Sequence, residues 1–309
     1  MVKVFIDGAA GTTGLRIHDR LSERADIELL TLPEELRKDA AARKQAMNQA
    51  DIVFLCLPDA AAVEAVELIE NENVKVIDTS TAHRVAPGWT YGFPEIVGRD
   101  AVLSAKRLAN PGCHASGFVA LVYPLVKAGL ISKDAALTCF SLTGYSGGGK
   151  KMIADYESDG RDPLLKGPRQ YGLTQKHKHL PEMQIITGLN IAPVFCPIVA
   201  DFYSGMEVTV PVFGKDLKGP LEAVRATYAD FYGTDDKSIV CFAQNADEGG
   251  FMSAAALSGK DSMEITVGGN EERILLTARF DNLGKGASGA AIQNMNIMTG
   301  MPETAGLVL

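Results

Sequence analysis

Cys113 stands in Asn110-Pro111-Gly112-Cys113-His114-Ala115-Ser116-Gly117, where a short apolar segment (residues 107–109) gives way to a long apolar run (116–128) of helical period. A cysteine at a helix start faces backbone N–H groups without intrahelical partners and the positive end of the helix dipole. Both favour thiolate over thiol. Pro111-Gly112 makes a sharp turn that presents the side chain outward. The chemistry this implies is nucleophilic attack by sulfur, which needs a second group to manage protons. The chain holds five histidines, His18, His83, His114, His177 and His179. His177 and His179 lie in Gln175-Lys176-His177-Lys178-His179-Leu180-Pro181-Glu182, just ahead of a further helix, and one of the pair is expected to be the acid/base. His-x-His can ligate a metal, but no third ligand of suitable spacing follows, so no metal is expected. His18 sits inside a helix and reads as structural. His83 and His114 are further candidates, with nothing but proximity behind them.

A second chemistry-bearing motif opens the chain. Gly8-Ala9-Ala10-Gly11-Thr12-Thr13-Gly14 follows the first strand and begins the first helix, a G-x-x-G-x-x-G variant of the dinucleotide-binding turn. Glycines at these points permit the tight turn, the approach of a pyrophosphate and close helix–strand packing. The expected cofactor contacts are Gly8, Ala10, Gly11, Thr12, Thr13 and Gly14. NAD-binding versions carry an acid near the end of the second strand, to hold the ribose 2′-hydroxyl. Here that place falls near Leu30-Thr31-Leu32, with Arg37 and Lys38 a little further on. NADP is therefore favoured, with Arg37 and Lys38 on the 2′-phosphate.

Gly144-Tyr145-Ser146-Gly147-Gly148-Gly149-Lys150-Lys151 nearly matches a nucleotide P-loop, but Lys151 replaces the hydroxyl residue that holds Mg²⁺. It still makes sense as an anion cradle. Glycine N–H groups and a lysine beside a helix start bind any phosphate, including one on a substrate. Ser146, Gly147, Gly148 and Lys150 are the residues expected to do so. Arg84, in Thr79-Ser80-Thr81-Ala82-His83-Arg84 after a parallel strand, would pair with a substrate carboxylate or phosphate.

The elements that must position these groups follow from hydrophobic period. Over the first third, strands (3–7, 27–31, 51–58, 74–79) alternate with helices (11–24, 34–48, 59–70), the pattern of a doubly wound parallel sheet. Beyond residue 115 strands dominate: 136–143, 194–199, 207–212, 238–242, 263–267 and 273–279. Several are close enough to be antiparallel, which predicts an α+β second domain with a mixed or antiparallel sheet. Residues 284–298 read as a helix, and 160–178 as a long loop able to cover a site. The fold class is α/β. Its Rossmann-type domain spans 1–113, completed by the C-terminal segment 284–309, and 114–283 form the catalytic and dimerisation domain.

Composition sets the outer limits. The 309 residues are 46% hydrophobic and 22% charged, a globular composition with length enough for one large domain or two of ordinary size. A net charge of -8 without a basic stretch argues against a general nucleic-acid binder. Apolar runs stop short of membrane-spanning length, and the N-terminus reads as a first strand rather than a signal peptide. Five widely spaced cysteines, odd in number and without C-x-x-C, argue against a disulfide framework and for a reducing cytoplasm.

Taken together, the Gly8–Gly14 turn, Asn110-Pro111-Gly112-Cys113, Ser146-Gly147-Gly148-Gly149-Lys150, His177-Lys178-His179-Leu180-Pro181-Glu182 and Asn282-Leu283-Gly284-Lys285-Gly286-Ala287-Ser288-Gly289 resemble the N-acetyl-γ-glutamyl-phosphate reductase family of arginine biosynthesis, in its shorter form. The motifs run in family order across nearly the whole chain. The resemblance implies Cys113 as nucleophile and His179 as acid/base, with His177 the second choice. His114 stands where many longer-form members carry an aromatic residue, which leaves the working histidine open. It also implies an acyl-phosphate substrate, a thioester, reduction by NADPH, release of inorganic phosphate, and a homodimer or homotetramer. Asn110 would join the substrate contacts, and Ser80, Asn282 and Gly284 those of the cofactor. Two other readings stay in view: a reductase of another acyl phosphate, like aspartate-semialdehyde dehydrogenase, and a non-catalytic NADP-binding regulator. A P-loop phosphotransferase ranks behind both.

Overall fold

The computed structural model describes residues 1–309. They form two compact units, residues 1–111 with 287–307 and residues 112–286 with 308–309.

In the first unit, apolar strands separated by helices assemble into a parallel sheet. Its elements are β1 (Val2–Asp7), α1 (Thr12–Ser22), β2 (Ile27–Leu30), α2 (Ala40–Gln49), β3 (Ile52–Leu55), α3 (Asp59–Glu67), β4 (Lys75–Asp78), β5 (Thr90–Tyr91), α4 (Pro94–Val97), α5 (Arg99–Ser104) and β6 (Arg107–Ala109). The strand order is β2-β1-β3-β4-β6-β5, parallel throughout. Alternation along each strand sends Val4, Ile6, Phe54, Ile77 and Leu108 to one face, and Phe5, Val53, Leu55 and Val76 to the other. Both faces are covered, the second by Ala46 and Met47 of α2 with Ala62 and Ala65 of α3. The first is covered by Ile17 and Leu21 of α1 with Ala291, Ile292 and Met295, which return from the far end of the chain.

One predicted helix is broken. Residues 34–48 contain a short 3-10 turn (Glu34–Leu36) and then, separately, α2. Asp39 causes the break. Its backbone is extended and its carboxylate accepts the Ala42 amide at 2.7 Å, capping a new helix.

The second unit begins with α6 (Cys113–Lys127), β7 (Thr138–Gly144), α7 (Gly149–Glu157), β8 (Arg169–Gln170) and α8 (Leu180–Thr187). It continues with β9 (Val194–Ala200), β10 (Met206–Phe213), α9 (Leu221–Tyr232), β11 (Val240–Phe242), β12 (Met263–Gly269) and β13 (Arg273–Phe280). The sheet is mixed, in the order β11-β12-β13-β10-β7-β9-β8. The β7–β9 and β11–β12 pairs are parallel and the rest antiparallel. A helical run then leads out of this unit, a π turn at Gly284–Ser288 followed by α10 (Gly289–Met298).

Helix α6 covers one face of the mixed sheet and is buried along most of its length. Pro124 lies inside it and cannot donate to Ala120. The Tyr232 hydroxyl donates to that carbonyl instead, at 2.8 Å, so the proline leaves no orphan acceptor. The opposite sheet face is open. Val194, Phe140, Phe213 and Leu275 point outward from β9, β7, β10 and β13, and are 56%, 45%, 58% and 48% exposed. The register places Phe140 against Thr209 and Pro211 against Leu275, which makes the patch continuous across strands. No helix of the structure is long and apolar enough to cross a membrane.

Candidate active site

Cys113 is the first residue of α6, and extended Gly112 is its N-cap. Gly112 O accepts the Ser116 amide at 2.8 Å and the Ser116 hydroxyl at 3.1 Å, closing the first turn without a side-chain cap. Cys113 is half-buried. Gly286 lies against it, since a Cβ built there would sit 3.1 Å from the Cys113 Cβ and 3.3 Å from the Phe280 ring. The segment carrying Gly286 is shaped by buried Asp281, whose carboxylate accepts from the Leu283 amide at 2.7 Å and the Ser204 hydroxyl at 3.1 Å.

The histidine segment arrives at the same turn. His179 is the N-cap of α8 and is 5% exposed, while His177 is half-buried. The His179 amide donates to His177 Nδ1 at 3.2 Å, and their rings meet edge to face with centroids 4.7 Å apart. In the first turn of α8, buried Glu182 accepts the Gly112 amide at 2.8 Å. The cysteine turn and the start of the histidine helix are therefore tied directly. Between them lies His114, with ring centroids 5.6 Å from His179 and 5.9 Å from His177.

His114 is unsuited to proton transfer. Nδ1 is 2.6 Å from the Ser141 hydroxyl and Nε2 is 2.6 Å from the Tyr171 hydroxyl. Burial, with the neighbouring charge of His177, pushes its pKa from 6.5 down to about 3. A group held neutral and committed at both nitrogens is a poor general acid at pH 7. His83, the other candidate, is engaged elsewhere: its Nδ1 is 2.6 Å from buried Asp78, and it stacks on Trp89 at 4.0 Å.

The segment read as a long loop is more ordered than its composition implies. It contains a 3-10 turn (Pro163–Lys166) and β8, which pairs antiparallel with β9. Beyond β8, the Tyr171 amide donates to Pro197 O at 3.0 Å. The Gln175 amide group then substitutes for a strand edge, donating to Phe195 O at 2.7 Å and accepting the Phe195 amide at 2.9 Å. Two-residue strands and side chains acting as backbone carry no period, so sequence patterning does not reveal them.

In the first unit, the glycine turn separates into two kinds of requirement. Gly8 has φ +86, and a Cβ there would lie 2.3 Å from Cys56 O; at Gly14 it would lie 2.5 Å from Gly8 O. Both are demanded by the chain's own packing. A Cβ on Gly11 would meet nothing closer than 3.4 Å, so its bareness leaves room for something outside the chain. Beside this turn is a cleft of about 700 Å³ lined by Gly8, Ala10, Thr31, Arg37, Lys38 and Arg43, among others. Its size fits a dinucleotide half, and Glu34 and Glu35 line it beside the basic residues. Arg43, which sequence reading overlooks, is fixed by three bonds to Asp7 at the end of β1, the shortest 2.7 Å. Helical periodicity alone gives it no distinction.

At the carboxyl ends of β4 and β6, the Thr79–Arg84 stretch is shaped by acids. Ser80 gives both its amide and its hydroxyl to Asp78, at 2.8 and 2.7 Å. The Thr81 amide donates to Asp59 at 2.9 Å. Arg84 is 9% exposed and donates from Nε to Asn110 O at 3.0 Å. Asn110 donates to Ala287 O at 3.0 Å and accepts from Asn294 at 3.2 Å, which holds the residues leading to the cysteine turn.

In the second unit, the glycine-lysine segment forms a 3-10 turn (Tyr145–Gly148) running into α7. Ser146 is buried and its hydroxyl accepts from Asn282 Nδ2 at 3.0 Å, while Asn282 Oδ1 accepts the Gly205 amide at 2.9 Å. Gly147, Gly148 and Lys150 are exposed. The bareness of Gly284 has an internal reason, since a Cβ there would fall 2.0 Å from Lys260 O. Tyr171 and Ser141 are the neighbours of the cysteine turn that lie in no motif, while Gly286 belongs to the Asn282–Gly289 motif. Glu182 was inside a motif, but only the fold shows what it holds.

Two family models match the chain. One, described as semialdehyde dehydrogenase, NAD binding domain, covers residues 3–105; the other, semialdehyde dehydrogenase, dimerisation domain, covers 113–282. A protein from Chelativorans sp. named N-acetyl-gamma-glutamyl-phosphate reductase is 48% identical over 304 residues, spanning 96% of this chain and 97% of its own. One from Nostoc sp., named N-acetyl-gamma-glutamyl-phosphate reductase 2, is 44% identical over 322 residues and 99% of both chains. Among solved structures, aspartate semialdehyde dehydrogenase II from Vibrio cholerae superposes with a TM-score of 0.71 at 16% identity, covering 97% of this chain and 98% of its own. That likeness shows the shared fold.

Proposed function

The chain belongs to the N-acetyl-gamma-glutamyl-phosphate reductase family of semialdehyde dehydrogenases, and on that premise we propose Cys113 as its nucleophile and His179 as its acid/base. The reaction is NADPH-dependent reduction of N-acetyl-γ-glutamyl phosphate to N-acetylglutamate 5-semialdehyde with release of phosphate, in arginine biosynthesis. The tie between Gly112 and Glu182 carries this reading, because it links the cysteine turn to the helix that His179 caps.

The Cys113 thiolate attacks the acyl carbon. The carbon–oxygen bond to phosphate breaks, the phosphate leaves with the electron pair, and a thioester forms. First-turn amides of α6 stabilise the developing oxyanion. NADPH, when bound, supplies the hydride for the thioester carbon, and protonated His179 gives the oxygen its proton, which makes a thiohemiacetal. His179 accepts the hydroxyl proton as the carbon–sulfur bond breaks, which releases the aldehyde and regenerates the thiolate. His177 Nδ1 holds the His179 backbone and orders the pair.

Gly8, Ala10, Gly11, Thr12, Thr13 and Gly14 form the pyrophosphate turn, with Arg37 and Lys38 on the 2′-phosphate. Lining of one cleft by Arg37, Lys38 and the glycine turn supports this. Arg84, Gly147, Gly148 and Lys150 meet the anionic groups of the substrate. Asn110 and Asn282 serve by holding Cys113 and Ser146 in place, since both ends of each amide already bond within the protein. Ser80 orders the Thr79–Arg84 stretch from Asp78. The open face of the mixed sheet pairs with a second copy, giving a homodimer or a homotetramer. The five free cysteines suit the cytoplasm.

Supplying N-acetylglutamate semialdehyde, phosphate and NADP tests the reading in reverse, with NADPH absorbance as readout. Turnover of aspartate semialdehyde in its place would favour the neighbouring reductase. Turnover of neither, together with a Cys113 inert to iodoacetamide, would favour a binding regulator.

A further inference from the structure

We propose that Asp261 is a positioning residue whose clasp on Val308 fixes the backbone resting against Cys113; the inference rests on Cys113 being the nucleophile. Asp261 is 2% exposed and lies in the second unit, as do Val308 and Leu309. The clasp is two-sided. The Asp261 amide donates to Val308 O at 2.6 Å, and the Val308 amide donates to the Asp261 carboxylate at 2.8 Å. Beside it, Lys260 Nζ donates to Leu309 O at 2.5 Å.

Residues 253–261 need such ties. They form successive turns rather than a helix or strand, with the Ala256, Ser258 and Lys260 amides donating to the carbonyls of Ser253, Ala255 and Leu257 at 3.2, 3.0 and 3.0 Å. Backbone of this kind has no ladder of its own, so contacts with other segments set its place. On its other side it meets the segment that adjoins Cys113. The Gly259 amide donates to the buried Asp281 carboxylate. Ser258 Oγ is 2.6 Å from Ser204 Oγ, which donates to that same carboxylate. Lys260 O packs directly on Gly284, where a Cβ would fall 2.0 Å from it. Asp281 O accepts the Gly284 and Gly286 amides at 3.1 and 3.0 Å, and Gly286 is the residue that lies against the Cys113 Cβ. Backbone presses on backbone along this path, with no long side chain to absorb a displacement. A shift at Asp261 therefore passes to the neighbour of the sulfur. A misplacement of about 1 Å at a reacting group can cost about 100-fold in rate.

The test compares Asp261→Ala, Asp261→Asn and Lys260→Met. The readouts are melting temperature, kcat and KM for the acyl phosphate, and the rate of Cys113 alkylation by iodoacetamide across pH. Asp261→Ala should lower kcat about tenfold with KM within about twofold. It should also raise the limiting alkylation rate about threefold, as the glycine segment loosens beside the sulfur. The midpoint of the alkylation profile should not move, because the residues around the thiol keep their charges. Asp261→Asn keeps an oxygen for the Val308 amide and should restore most of both. Lys260→Met removes only the bond to Leu309 O and should shift both in the same direction by less. A lower melting temperature with kcat and alkylation at wild-type values would reduce the clasp to a structural tie and overturn the proposal. Should Asp261→Ala fail to fold, Lys260→Met decides alone, and wild-type values there overturn it equally. An inert wild-type thiol would instead strike the catalytic reading, which separates the two failures.

Discussion

The Gly112 amide donates to Glu182 Oε1 at 2.8 Å, joining two residues 70 positions apart in the chain. The bond orders the N-cap of the helix that begins with Cys113, and its acceptor sits in the first turn of the helix that His179 caps. Glu182→Ala would leave a buried amide without an acceptor, at a cost of about 1–3 kcal/mol. We expect a lower melting temperature and a fall in kcat, with NADPH affinity unchanged by fluorescence titration. Glu182→Gln, which retains an acceptor oxygen, should recover most of both.

Cys113→Ala is expected to abolish reduction and leave NADPH binding nearly intact, because the sulfur serves the chemistry and not the affinity. His179→Asn should lower kcat by about 10²–10⁴ if it is the acid/base. A loss smaller than tenfold would move that role to His177. Steady-state kinetics with direct NADPH titration checks both.

Gly8 and Gly11 should respond oppositely to a single methyl. Gly8→Ala puts a Cβ 2.3 Å from Cys56 O at a backbone φ of +86, so it should destabilise the fold strongly. Gly11→Ala has room within the chain and should fold with a near-normal melting temperature. It should weaken NADPH binding nonetheless, because the new methyl stands where a pyrophosphate would approach. Thermal melts and titrations on the two variants decide.

Acid should destabilise the protein in part through His114. Its folded pKa is about 3, below the 6.5 of an exposed histidine, so the unfolded chain binds the proton more readily. The neutral ring's contribution is complete above pH 6.5 and is lost as pH falls from there toward 3, by about 1.4 kcal/mol per pH unit at most. Urea unfolding at pH 7 and pH 5 should show His114→Gln losing less stability between the two than the wild type.

The open sheet face should be an association surface. Phe140→Glu and Leu275→Glu replace outward apolar residues that are 45% and 48% exposed, and so should spare the core. Light scattering should report a smaller assembly than for the wild type. An unchanged mass for the double variant would place the contact elsewhere.

Much of this protein is written locally. The parallel sheet follows from apolar strands alternating with helical periods, and the first glycine turn from its place after β1, because hydrophobic period and turn chemistry act over a few residues. Cys113 at a helix start and the His177–His179 pair are legible for the same reason. The break at Asp39 is not legible in the sequence because the helical period runs across it, while a single capping carboxylate decides the boundary. What the tertiary structure alone decides lies in contacts across long stretches of chain. Glu182 reaches the cysteine turn, Tyr171 and Ser141 close on His114, and α10 covers the first sheet. Such pairings depend on where separate elements pack, and no spacing along the chain encodes them. The role of His114 shows the difference. Its type and position make it look like a proton carrier, and only burial between two hydroxyls makes it a fixed neutral link.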